Sequence, residues 1–98
     1  MTFIKLGSVR TFPSVEPTKE QALKVLEEAA EIFGAWQLMR DTAEAGLNPR
    51  HETAYLMDEI ADTIQASCNL AAALGVTDLT PYLARCEERN RRRGRYDE

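Results

Sequence analysis

The sequence predicts an all-α fold: a helical hairpin plus a third helix, completing a four-helix-bundle core by oligomerisation. Three observations point there. Residues 18–43 hold one Gly, no Pro and a wealth of Ala, Leu, Glu and Lys. Asn48-Pro49 and Thr80-Pro81 repeat a helix-start signature. No run of alternating residues is long enough to call for a sheet.

The elements follow in order. Residues 1–17 mix Phe3, Ile4, Leu6, Val9, Phe12 and Val15 with Gly7, Pro13 and Pro17, which predicts an extended N-terminal arm packed on something. Thr18-Lys19-Glu20-Gln21 reads as a capping box that opens the first helix, with Thr18 as N-cap. Ala45-Gly46-Leu47 is the turn. Asn48 as N-cap and Pro49 at the first helical position start the second helix, which runs to about Leu74 and stops at Gly75. Thr80-Pro81 starts the third, and Gly94 ends it.

Helical periodicity sets the faces. Leu23, Val25, Leu26, Ala29, Ala30, Ile32, Phe33, Trp36 and Met39 cover roughly 200° of the first helix, twice what a monomer's surface helix needs. The second helix places Leu56, Ile60, Ile64, Ala71 and Leu74 on one face. A neighbouring stripe reads Tyr55, Glu59, Asp62, Ala66, Asn69, Ala73, where alanines let another backbone come close and the polar groups line the gap. Trp36 on its broad apolar arc reads as core, and His51, with no carboxylate at di-iron spacing, as surface.

With 98 residues the chain is one domain, and a lone copy has a thin core. A secretory signal is not visible, no apolar run approaches a membrane span, and Cys68 and Cys86 form no disulfide framework. A soluble cytoplasmic protein is the expectation, with no membrane partner. Of the net charge of −4, residues 85–95 contribute +4 through six Arg and two Glu, which leaves −8 for the rest. An acidic body with a short basic end disfavours nucleic acid and suits a protein that gathers cations at one place and phosphates at another.

The carboxylates carry the chemistry. Glu28/Glu31 and Glu59/Asp62 are i,i+3 pairs, each on one helix face. They mirror one another about the Ala45-Gly46 turn, so an antiparallel hairpin sets them level. Four converging carboxylates repel unless a cation holds them. An oxygen-only set suits Mg²⁺, with Mn²⁺ as a substitute, rather than Zn²⁺. The plain alternative is that these are solvated outer faces.

Leu26-Glu27-Glu28-Ala29-Ala30-Glu31-Ile32, then Asp58-Glu59-Ile60-Ala61-Asp62, then Glu88-Arg89-Asn90-Arg91-Arg92-Arg93-Gly94-Arg95-Tyr96 resembles the MazG-like all-α nucleoside triphosphate pyrophosphohydrolases. The resemblance spans residues 18–96. It implies Mg²⁺ held by Glu28, Glu31, Glu59 and Asp62, with Glu27 supporting the set or orienting water. It implies cleavage of a nucleoside triphosphate to the monophosphate and pyrophosphate, as in house-cleaning of nucleotide pools. Asn69, two turns beyond Asp62, is a candidate for sugar or base. Arg89, Asn90, Arg93 and Tyr96 are candidates to close over the phosphates. Many members carry a Lys four residues before that Asn; Cys86 stands here, so the phosphate contact falls to an Arg such as Arg85 or Arg89. A homodimer or homotetramer is implied, with sites near subunit boundaries. Two other classes stay open: a non-catalytic acidic interaction protein, and a nucleotide- or nucleic-acid-binding regulator using the Arg cluster.

Overall fold

Thr18 opens the first helix as its spacing predicts: the hydroxyl accepts the Gln21 amide at 3.2 Å from an extended backbone. In the computed structural model, which describes residues 2–97, the helices are α1 (Lys19–Glu44), α2 (Arg50–Ala73) and α3 (Thr80–Arg92). The chain is all-α, with no strand among the described residues. Met1 of the expected arm lies outside them.

The other two helix starts each shift by one residue from the Pro signatures, later at α2 and earlier at α3. Pro49 is the N-cap of α2, and Asn48 acts one step ahead, its Oδ1 accepting the Arg50 amide at 3.2 Å. At α3, Leu79 is the N-cap and Thr80 the first helical residue; the Asp78 carboxylate accepts the Thr80 amide at 2.9 Å. The Thr80 side chain, and then that amide, hold the Asp78 carboxyl below its ordinary value by hydrogen bonding to it. Gly46 (φ +81°) and Gly75 (φ +83°) close the first two helices in the left-handed conformation that a side chain would oppose. Beyond Gly46 the Leu47 amide reaches back to Thr42, and beyond Gly75 the Val76 amide reaches back to Ala71, as in a Schellman ending.

The α1–α2 seam is a heptad. On α1 the residues turned away from solvent are Gln21, Val25, Glu28, Ile32, Ala35, Met39 and Thr42, spaced alternately four and three. On α2 the matching row is Glu52, Leu56, Glu59, Thr63, Ala66, Leu70 and Ala73. Ala35 (2% exposed) and Ala66 (4%) are the most deeply buried apolar residues of the seam. The stripe expected beside the apolar face is therefore the inner one. Ile60, Ile64 and Ala71 lie off the seam and are half-buried, Ile64 and Ala71 lining the cleft beside the arm, and Leu74 is exposed.

One residue on from each seam row lies a second heptad row: Leu26, Ala29, Phe33 and Trp36 on α1, Met57, Ile60, Ile64, Ala71 and Leu74 on α2. Because the helices are antiparallel, both second rows face the same side of the hairpin. Leu26, Phe33 and Leu74 are each more than 60% exposed, and Trp36, expected in the core, is in this row, stacked on Phe33 at 5.9 Å with Arg40 above it. Glu31 and Asp62, each three residues past a seam Glu, face the opposite side.

The arm crosses the back of α2. The Gln65 amide donates to the Arg10 carbonyl at 2.9 Å, and the Phe12 N–H donates to Asn69 Oδ1 at 3.1 Å. Between the arm, the second half of α2 and the start of α3 lies a cleft of about 600 Å³. Helix α3 packs on neither α1 nor α2. The radius of gyration is 16.3 Å, against about 12.6 Å for a compact chain of this length. The surface of 7942 Å² exceeds the roughly 5600 Å² of a compact monomer. No helix is long and apolar enough to cross a membrane among the described residues.

Candidate metal centre

Besides Glu52 in the first turn of α2, two positions in the middle of the seam that would ordinarily hold apolar side chains hold carboxylates. Glu28 has a side chain 12% exposed, and Glu59 is 7% exposed. One carboxylate oxygen each from Glu28, Glu59 and Asp62 lie within 4.8 Å of one another. The seam brings Glu28 to Glu59, and the i,i+3 spacing adds Asp62 at the solvent edge.

Glu31, expected as the fourth member, stands outside that group but close enough to interact with it. A hydrogen bond to Glu59, then the charge of Glu28, pushes its carboxyl above the ordinary value. Carboxyl groups this close compete to stay ionised and share a proton when no cation intervenes.

The neighbours compensate only in part. Lys24, one turn before Glu28, places Nζ 3.2 Å from Glu28 Oε1 and 3.7 Å from Glu27 Oε2. Its ammonium is held above its usual value by the Glu28 hydrogen bond and the charges of Glu28 and Glu27. Tyr55, one turn before Glu59, has its hydroxyl raised by a hydrogen bond to Glu59 and then by that residue's charge. Glu59 Oε2 remains buried with no hydrogen-bond partner. A buried ionised oxygen without a partner is costly, and a divalent cation at the mouth would satisfy it.

Comparison with protein-family models, curated proteins and solved structures found no match. The chemistry of the centre rests on its own geometry.

The remaining candidate residues divide. Glu27 is 65% exposed on its side chain, pairs with Lys24 and stands outside the cluster. Asn69 is 3% exposed, and its Oδ1 accepts both the Phe12 amide and Gln65 Nε2, the latter at 3.0 Å. Arg89, Asn90, Arg93 and Tyr96 are not brought to the carboxylates within one chain, since α3 stands apart from the hairpin. Asn90 turns inward on its own helix, donating to Cys86 Sγ and accepting from Arg95. Arg91 pairs with Glu87 and Glu88, and Arg92 with Glu88, so part of the basic cluster is neutralised locally. That weakens a nucleic-acid role for it. Arg85 lies over the Tyr82 ring. His51 is exposed, and Cys68 and Cys86 are free and half-buried.

Lys24 and Gln65 escaped the sequence reading, although each stands four residues before a candidate, at helical pairing distance. The Phe12 contact spans 57 positions and has no local sequence signal.

Proposed function

We propose that the chain is a Mg²⁺-dependent nucleoside triphosphate pyrophosphohydrolase of the MazG-like kind. The observation that carries this reading is Glu59: a carboxylate in a helix seam, one oxygen buried and unpartnered, beside Glu28 and Asp62. A carboxylate kept at such a position costs stability, and a solvated acidic face would not bury it. Three carboxylates gathered together, with Glu31 beside them, suit a cation that must also hold phosphate oxygens.

Glu28 and Glu59 form the floor of the mouth, while Glu31 and Asp62 form its rim. Tyr55 orients Glu59, and Lys24 steadies Glu28. Bound Mg²⁺ supplies charge neutralisation for the triphosphate and a bound water of lowered pKa. In the net reaction water adds to the α-phosphorus, the bond from that phosphorus to the bridging oxygen breaks, and pyrophosphate leaves. No covalent nucleophile is needed.

The working form is a homodimer or homotetramer. The second heptad rows make one apolar face, and a second copy laid on it completes a four-helix bundle. The carboxylate mouth faces away from that surface and stays open. The separation of α3 from its own hairpin leaves Arg85, Arg89 and Arg93, spaced one turn apart, for phosphates at a subunit boundary.

Hydrolysis in ¹⁸O-labelled water tests the chemistry. Label in the monophosphate and none in pyrophosphate is expected; label in pyrophosphate would move the attack to the β-phosphorus and refute it.

A further inference from the structure

Asn69 is almost wholly buried, yet only one end of its amide is used by the chain. Two donors converge on it: the Phe12 N–H at 3.1 Å and Gln65 Nε2 at 3.0 Å. Both require an acceptor, which fixes Oδ1 toward the arm. Gln65 is itself held by the Arg10 carbonyl, which it also donates to. The Asn69 Nδ2 makes no hydrogen bond among the described residues and is not sealed from solvent. The arm therefore turns an amide that could donate or accept into one that offers only a donor.

The position of that donor is informative. Seven residues carry Asn69 about 10 Å along α2 from Asp62 and keep it on the same side. For a nucleotide whose α-phosphate sits at the carboxylates, that length passes the sugar and arrives at the base. The Phe12 ring, on the residue whose N–H holds Asn69, is 59% exposed. We propose that the arm and Gln65 lock Asn69 as a donor-only reader of the base, selecting a pyrimidine with a carbonyl over one with an amino group at the same ring position. This rests on the nucleotide reading above. Gln65 acts as a positioning residue, and Asn69 touches the ligand.

Binding of dUMP and dCMP, measured by calorimetry, tests the proposal without requiring turnover. Wild type should prefer dUMP by about tenfold, the scale of one hydrogen bond gained against one donor facing another. Asn69→Asp keeps an acceptor for both arm donors but turns an oxygen outward, so the preference should reverse while the Phe12 amide stays protected from hydrogen exchange. Gln65→Glu cannot donate to Asn69 and leaves the Phe12 N–H as the one donor that holds Oδ1 inward; this variant should weaken the preference toward equal binding without touching the reader. Equal binding of the two by wild type, or a preference unchanged in both variants, would overturn the proposal. A change in Asn69→Asp alone would refute the positioning role of Gln65. Mg²⁺-dependent turnover alongside such failures leaves the hydrolase reading standing. Discrimination that reverses as expected supports this proposal, and the absence of turnover of any triphosphate alongside it would sink the hydrolase reading alone. No binding of either nucleotide overturns the proposal.

Discussion

Glu28 and Glu59 meet across the α1–α2 seam, in rows whose other members include Val25, Ile32, Leu56 and Ala66. The hairpin thus gives up apolar packing at its middle and gathers carboxylate oxygens there instead. That exchange makes sense when the seam is completed by a cation.

The exchange sets stability against function at Glu59. In chelator, Glu59→Leu should raise stability by about 1–3 kcal/mol, the cost of an unsatisfied buried polar group. The same variant should lose stabilisation by Mg²⁺ and at least about 100-fold in turnover. Thermal melts with and without Mg²⁺ check the first two effects.

The metal-free chain should also respond to pH in a defined direction. The Glu31 carboxyl is raised in the folded chain by its hydrogen bond to Glu59 and by the charge of Glu28. Its contribution is fully present below the ordinary value of 4.5 and is lost as pH rises through the raised value. In chelator the protein should melt higher at about pH 5 than the other groups alone would allow, and Glu31→Gln should flatten that dependence. Mg²⁺ should stabilise more at about pH 7.5 than at about pH 5, because protons and the cation compete for the same oxygens.

The apolar face gives an assembly prediction. Leu26→Glu with Phe33→Glu places charge on the second heptad row without touching the seam. Light scattering should then report a mass near the 11.0 kDa of one chain, where wild type gives a multiple of it. Turnover should fall with assembly if α3 of one copy serves the mouth of another.

Thr18 offers a test of local structure alone. Thr18→Ala removes the cap of α1 and should cost about 1 kcal/mol. The melting temperature should drop by about 4–8 °C, with turnover at room temperature unchanged.

Much of this was legible in the sequence because local rules governed it. The Thr18 cap, the Gly46 and Gly75 endings and the mirror placement of the carboxylates about the turn all follow from spacing. The inner face of α2 was harder. Both Leu56-Ile60-Ile64 and Leu56-Glu59-Thr63 fit a helix face, and only packing decides which row meets α1. The row that includes Ala66 does, and Ala35 and Ala66 are the most deeply buried apolar residues of the seam. The arm's grip on Asn69 was not legible, since a bond between residues 12 and 69 leaves no periodic trace.

The most direct test of the metal-centre account is product analysis by ion-exchange chromatography, with purified protein, Mg²⁺ and a panel of ribo- and deoxyribonucleoside triphosphates. Glu59→Gln and a chelator serve as controls. Monophosphate and pyrophosphate in equal amounts, absent from both controls, is the predicted result. Diphosphate with orthophosphate, or no turnover of any triphosphate by folded wild-type protein, would contradict it.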